Sequence, residues 1–165
     1  MNGIKKLKNG LDRVVDFIGI LFIALTTIIV SATVFTRYFF SYTPKWSEEV
    51  SLLLFIWIGF LGIAVGFREK LHIGVGLFVG MMPEKAQTFF DYVAKFLVIA
   101  VSIIFIIYGY QFTVLMGGST MPGTGLPNSV QYFVVPVTGV IMLIYGIELL
   151  FKKGMHQVLD ENVEE

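Results

Sequence analysis

Residues 17–36 read FIGILFIALTTIIVSATVFT, a run of 20 residues from Phe17 to Thr36 without one charged side chain. About 20 apolar residues, at about 1.5 Å rise each, cross the roughly 30 Å hydrocarbon core of a bilayer. Lys5, Lys6, Lys8 and Arg13 precede the run, as basic residues precede a secretion signal. The apolar core of such a signal is only about 7–15 residues long, so this run is expected to stay as a membrane-spanning helix. Working outward, the first span covers about 14–40. Three more segments qualify, at about 44–67, 83–116 and 129–151. Residues 1–151 therefore read as one four-helix transmembrane domain, and 152–165 as an acidic tail.

Local punctuation agrees with these bounds. Thr43-Pro44 suits a helix cap followed by proline at the first helical position. Pro83-Glu84 repeats the pattern, with an acid facing the positive end of the helix dipole. Gly117-Gly118 supplies a stop after the third span. Pro136 falls inside the fourth span and predicts a kink or an irregular first turn. The third span exceeds one membrane thickness, so its first turns, with Asp91 and Lys95, are expected to project on the Pro83 side as a solvated i,i+4 pair.

Composition points the same way. Of 165 residues, 56% are hydrophobic and 15% charged, with a mean hydropathy of +0.79. A soluble domain carries about 25% charge, so lipid is the expected solvent. Zero formal net charge argues against nucleic acid as a partner. With no cysteine, and with His72 and His156 far apart, the sequence offers neither thiol chemistry nor a clustered metal-ligand set.

Basic residues set the expected orientation. The N-terminal segment, the linker 68–85 (Arg68, Lys70, Lys85) and the tail (Lys152, Lys153) together carry nine. The opposite side carries two, Arg37 and Lys45. Both termini and the central linker are thus expected in the cytoplasm, with 117–130 as an uncharged external loop of ordered turns. Within the linker, Leu71, Val75, Phe78 and Met82 are spaced for a short helix lying in the membrane interface, although Gly74, Gly76 and Gly80 weaken it.

Few residues suggest chemistry. No span has an ionisable side chain near its centre; Asp16 and Glu148 lie near span ends. Carriers usually place such a group in the membrane to bind an ion or substrate, so the chain alone is a poor carrier, and no nucleophile–base pair suggests an enzyme. The densest polar cluster is Arg37, Lys45, Trp46, Glu48 and Glu49. Trp46 suits an aromatic belt. Adjacent glutamates point about 100° apart on a helix. One could pair with Arg37 across the hairpin, leaving the other for a second protein or a lipid amine. Alternatively both sit at headgroup level. Glu48, Leu52, Phe55, Gly59, Gly62 and Gly66 fall on one helix face, and Gly62 and Gly66 form a small-xxx-small pair. Such a face admits a neighbouring helix at close range, either inside a four-helix bundle or in another subunit. Arg68 suits a helix C-terminus and can snorkel to headgroups, with His72 one turn further on.

The ordered set Arg37-Tyr38-Phe39-Phe40, Pro44, Trp46-Ser47-Glu48-Glu49, Gly59, Gly62, Arg68, His72-Ile73-Gly74-Val75, Met82-Pro83-Glu84, Leu126-Pro127 and Pro136 resembles the small, DctQ-like membrane subunit of tripartite ATP-independent periplasmic (TRAP) transporters. The resemblance covers nearly the whole chain, and Arg37, Trp46, Glu48, Glu49, Arg68 and His72 match recurrent polar positions of that family. It implies a non-catalytic scaffold without a cofactor, in the bacterial inner membrane. The implied partners are a large multi-span subunit that moves organic acids such as C4-dicarboxylates or sialic acid with sodium, a periplasmic substrate-binding protein, and membrane lipids. The short acidic tail suggests a subunit that is not fused to the large one. The competing expectation is an independent homo-oligomeric carrier or channel.

Overall fold

The computed structural model describes residues 2–68 and 83–151, the side chains of 2–9, 84–85 and 151 excepted. The linker 69–82, with its expected interfacial helix and His72, lies outside the described residues, as does the tail. The helices are α1 (Asn2–Phe40), α2 (Lys45–Arg68), α3 (Glu84–Leu115), α4 (Ser129–Tyr132) and α5 (Val134–Phe151). Among the described residues, four stretches are long and apolar enough to cross a membrane: Gly10–Phe40, Lys45–Arg68, Ala86–Gly118 and Ser129–Leu150. The protein is thus an all-α, multi-pass membrane protein.

α1 begins about three turns before the expected start. No proline interrupts Asn2–Arg13, and its lysines and leucines favour helix. α1 stops at Ser41, which takes a left-handed φ of 50°. α2 starts when Ser47 turns back to Pro44, whose carbonyl accepts from the Ser47 N–H (3.1 Å) and Oγ (2.7 Å). The fourth span is broken at Phe133, between α4 and α5. The cause is Pro136, which has no N–H for the carbonyl one turn earlier and whose ring crowds it.

The helices do not close into a bundle. Among the described residues they form an open row in the order α1, α2, α5, α3, and α1 and α3 do not meet. Lipid is as apolar as leucine, so nothing drives the row to close, and contacts form where backbones can approach. That condition is met between α3 and α5. A Cβ on Gly109 would fall 2.8 Å from Val135 Cγ1, and one on Gly139 would fall 2.9 Å from Phe105 Cβ and 3.0 Å from the Ile106 nitrogen. Gly146 sits similarly against Val98 and Ile99. This antiparallel register sets the α5 end level with about residues 93–94, so the first turns of α3 overshoot it by roughly 14 Å. Val134, Ile141, Met142 and Tyr145 of α5 meet Leu61 and Ala64 of α2 and Val15 of α1 in the core. Phe60 and Phe105 rings meet edge-on at 5.9 Å, tying α2 to α3 across α5.

Asp91 and Lys95 are not solvated, contrary to expectation. They are buried (7% and 4% exposed) and joined at 2.8 Å. Overshooting α5 does not expose them, because the face of α3 that carries them is covered while Phe89, Tyr92 and Phe96 point outward.

The α3–α5 seam predicts a cost for filling it. Gly139→Val should lower stability by about 1–3 kcal/mol, read from detergent-titrated unfolding. Gly117→Ala, with open space around it, should change stability by less than about 0.5 kcal/mol.

Candidate functional site

Polar side chains collect at the two ends of the row. At the hairpin end, where α1 turns into α2, Arg37, Lys45, Trp46 and Glu48 are exposed. Of the two alternatives, the pairing of a glutamate with Arg37 is absent; among the described residues neither Glu48 nor Glu49 bonds it. Glu49 turns instead to the loop after α3. Its Oε1 accepts from the Gly123 N–H at 2.7 Å, and Oε2 accepts from the Thr124 N–H at 2.8 Å and from Thr124 Oγ1 at 3.0 Å. Two successive amides and a hydroxyl therefore converge on one carboxylate. Bonds to a charged acceptor are about twice as strong as neutral ones, and these three donors occupy both carboxylate oxygens.

The loop is built to meet it. A 3₁₀ turn at Met116–Gly118 ends α3. Thr120 and Pro127 then bridge as neighbouring strands. Met121 N–H donates to Leu126 O at 2.8 Å, and Asn128 N–H to Ser119 O at 2.9 Å. Gly125, at φ 71°, donates to Met121 O at 2.8 Å. Gly123 is pressed against α2: a Cβ there would fall 2.6 Å from Lys45 O. The expected ordered turns are present, and Met121 is buried beneath them.

Along α2, the face expected to receive a neighbouring helix is open. Among the described residues, nothing lies within 4 Å of a Cβ built on Gly59, Gly62 or Gly66. Glu48, Leu52, Phe55, Gly59 and Gly62 are all exposed. The opposite face is used: Trp57 meets Phe22 edge-on at 5.9 Å and donates through Nε1 to Val130 O at 3.1 Å.

The other end holds the second cluster. Arg68 does not snorkel; its side chain is 13% exposed and reaches Asp16 Oδ1 at 2.8 Å and Asp12 Oδ1 at 3.8 Å. Tyr145 OH donates to Asp12 Oδ1 at 2.7 Å. Three helices meet in this cluster. Sequence reasoning noted Asp16 but passed over Asp12, although the two lie one turn apart on α1. Tyr145, Gly123 and Thr124 carry no local signal, since their partners lie 133, 74 and 75 positions away.

The Glu49 clamp gives a direct test. Glu49→Gln should speed amide hydrogen exchange at Gly123 and Thr124 by about tenfold, the loss of a charge-assisted acceptor, while Glu48→Gln leaves both amides unchanged.

With this geometry in view, comparison with known proteins is informative. Residues 26–153 match the family model described as "Tripartite ATP-independent periplasmic transporters, DctQ component". The sialic acid TRAP transporter small permease protein SiaQ of Vibrio cholerae is 24% identical over 148 residues, 90% of this chain and 86% of that protein. A TRAP transporter small permease of Haemophilus influenzae is 26% identical over 139 residues, 84% of this chain and 86% of its own length. The sialic acid TRAP transporter permease protein SiaT of Haemophilus influenzae is 30% identical over 160 residues, 93% of this chain but only 24% of that longer protein. Matched over most of its length, with four apolar helices in the order those motifs required, the chain belongs to the DctQ component family of TRAP transporters.

Proposed function

We propose that the chain is a non-catalytic scaffold that holds the large membrane subunit of a TRAP transporter and helps to dock its periplasmic substrate-binding protein. The transporter would take up an organic acid, a carboxylate or sialic acid, with sodium. The observation that carries this reading is the open row with an uncovered glycine face on α2. A chain that served alone would be expected to spend its closest-approach surface on itself. Here Gly109, Gly139 and Gly146 are spent that way, whereas Gly59, Gly62 and Gly66 are left clear. A helix of the large subunit lying on Gly59, Gly62 and Gly66 would approach closely enough for van der Waals packing to compete with lipid.

The relation to SiaT supports a partner of this kind. This chain corresponds to about a quarter of that permease, and a separate large subunit would supply the remainder. On this reading the Arg37–Glu49 end faces the periplasm, and both termini, Arg68 and His72 face the cytoplasm of the bacterial inner membrane. Exposed Arg37, Trp46 and Glu48, with the clamped loop 119–128, form the surface offered to the binding protein. The loop has no charge of its own, so Arg37, Lys45 and Glu48 would set its electrostatic preference.

A tagged pull-down from native membranes in mild detergent should recover a large multi-span protein in equal amount. Gly59→Leu with Gly62→Leu should weaken that recovery by about tenfold, an effect of ~1.4 kcal/mol, without reducing the amount of this chain in the membrane. Recovery of the chain alone as a stable homo-oligomer, with solute flux after reconstitution, would favour an independent carrier and overturn the scaffold reading.

A further inference from the structure

α1 is attached differently from the other spans. In the row it lies at one edge, along α2. Val15 is its only buried residue among those described, and the most apolar window of its span has none. Its threonines do not reach across to other helices. Thr26, Thr27 and Thr33 hydroxyls donate to the carbonyls of Phe22, Ile23 and Ile29 in their own helix, at 2.7, 2.8 and 2.7 Å. Thr36 likewise donates to Thr33 O. What remains is an apolar seam along α2, with Leu11, Ile18 and Phe22 packed against the core and Phe22 against Trp57, and a polar fastening at one end. In lipid the seam largely replaces one set of apolar contacts by another, so it gives α1 little specific hold. The fastening is specific. Arg68 of α2 bridges Asp12 and Asp16, and Tyr145 of α5 donates to Asp12. At the other end of α1 the chain turns through Ser41, which holds a left-handed φ of 50° without being glycine.

We propose that α1 is a hinged strap, pivoting at Ser41 and latched at Asp12 and Asp16 by Arg68 and Tyr145. Released from the latch, its first half swings away from α2 and α5 while α2, α5 and α3 stay assembled. The two ends of α1 thus do different work. The Ser41 end keeps its distance from α2 in every state, and the Asp12 end has two positions. The inference stands on the contacts of this chain and does not depend on what the open face of α2 receives.

The chain has no native cysteine, so pairs of spin labels can be introduced cleanly into the full chain in lipid nanodiscs. Phe17→Cys on α1 and Ile147→Cys on α5 report the latched end; both side chains are exposed. The distance distribution should be single and narrow in the latched chain. Asp12→Ala with Asp16→Ala should add a longer-distance population of about one tenth or more, and Tyr145→Phe a smaller one, because it removes one bond and keeps the ring. Leu52→Cys with Val140→Cys, from α2 to α5, should keep its distance in both variants. So should Val34→Cys with Leu52→Cys, beside the pivot. An unchanged Phe17–Ile147 distribution in the chain carrying both Asp12→Ala and Asp16→Ala would overturn the latch. Equal displacement of the Val34–Leu52 pair would overturn the hinge. Parallel broadening of the Leu52–Val140 pair would show that the cluster supports the whole row, and would overturn the strap.

Discussion

The close approach of α3 and α5 is the constraint on which the rest of the array depends. Two helices in lipid gain little from apolar contact as such, and they hold together where backbones come near enough for dense packing. Gly109, Gly139 and Gly146 provide that nearness. Once α5 is fixed against α3, its other side presents Ile141, Met142 and Tyr145 to α2, with Leu61 and Ala64 facing them. α2 in turn gives α1 its seat. The row is thus built outward from the α3–α5 seam, and polar clamps add fixed bonds at its two ends.

Those clamps share a pattern. Within the spans, several serine and threonine hydroxyls close on their own helices, as Ser102 does on Val98 O and Thr113 on Gly109 O, whereas the buried Thr138 hydroxyl has no partner among the described residues. Polar bonds between separate elements gather toward the two ends: Glu49 with Gly123 and Thr124, and Asp12 with Arg68 and Tyr145. Trp57, bonded to Val130 O, is the intermediate case. A charged or amide group near the edge of the hydrocarbon costs less to place than one at its centre. The protein thus fixes a loop and a helix with strong bonds without paying for buried charge in mid-membrane.

Much of this architecture was legible in the sequence because it rests on length and period. A run such as 17–36 leaves few alternatives, and Pro136 announced the break at Phe133. The open face at Gly59, Gly62 and Gly66 was visible as a helical stripe, although its spacing could not say whether α5 or another chain would fill it. What stayed hidden were choices between partners. Glu49 had Arg37 nearby in sequence and chose amides 74 and 75 positions away. Arg68 read as a surface cation and became the centre of a three-helix cluster. Asp91 and Lys95 had the spacing of a solvated pair, and spacing does not reveal which face of a helix is covered.

The separation of Asp12 and Tyr145 by 133 positions bears on how the protein is made. Asp12 enters the membrane region early in synthesis, and Arg68 follows after the hairpin. The phenol that completes the fastening emerges only when nearly all of the last helix has left the ribosome. Through that interval α1 is tethered by Ser41 and by whatever Arg68 can already reach. Biogenesis of this chain therefore passes through a state in which its first helix is inserted but lacks the Tyr145 bond, and synthesis of the last helix completes the fastening.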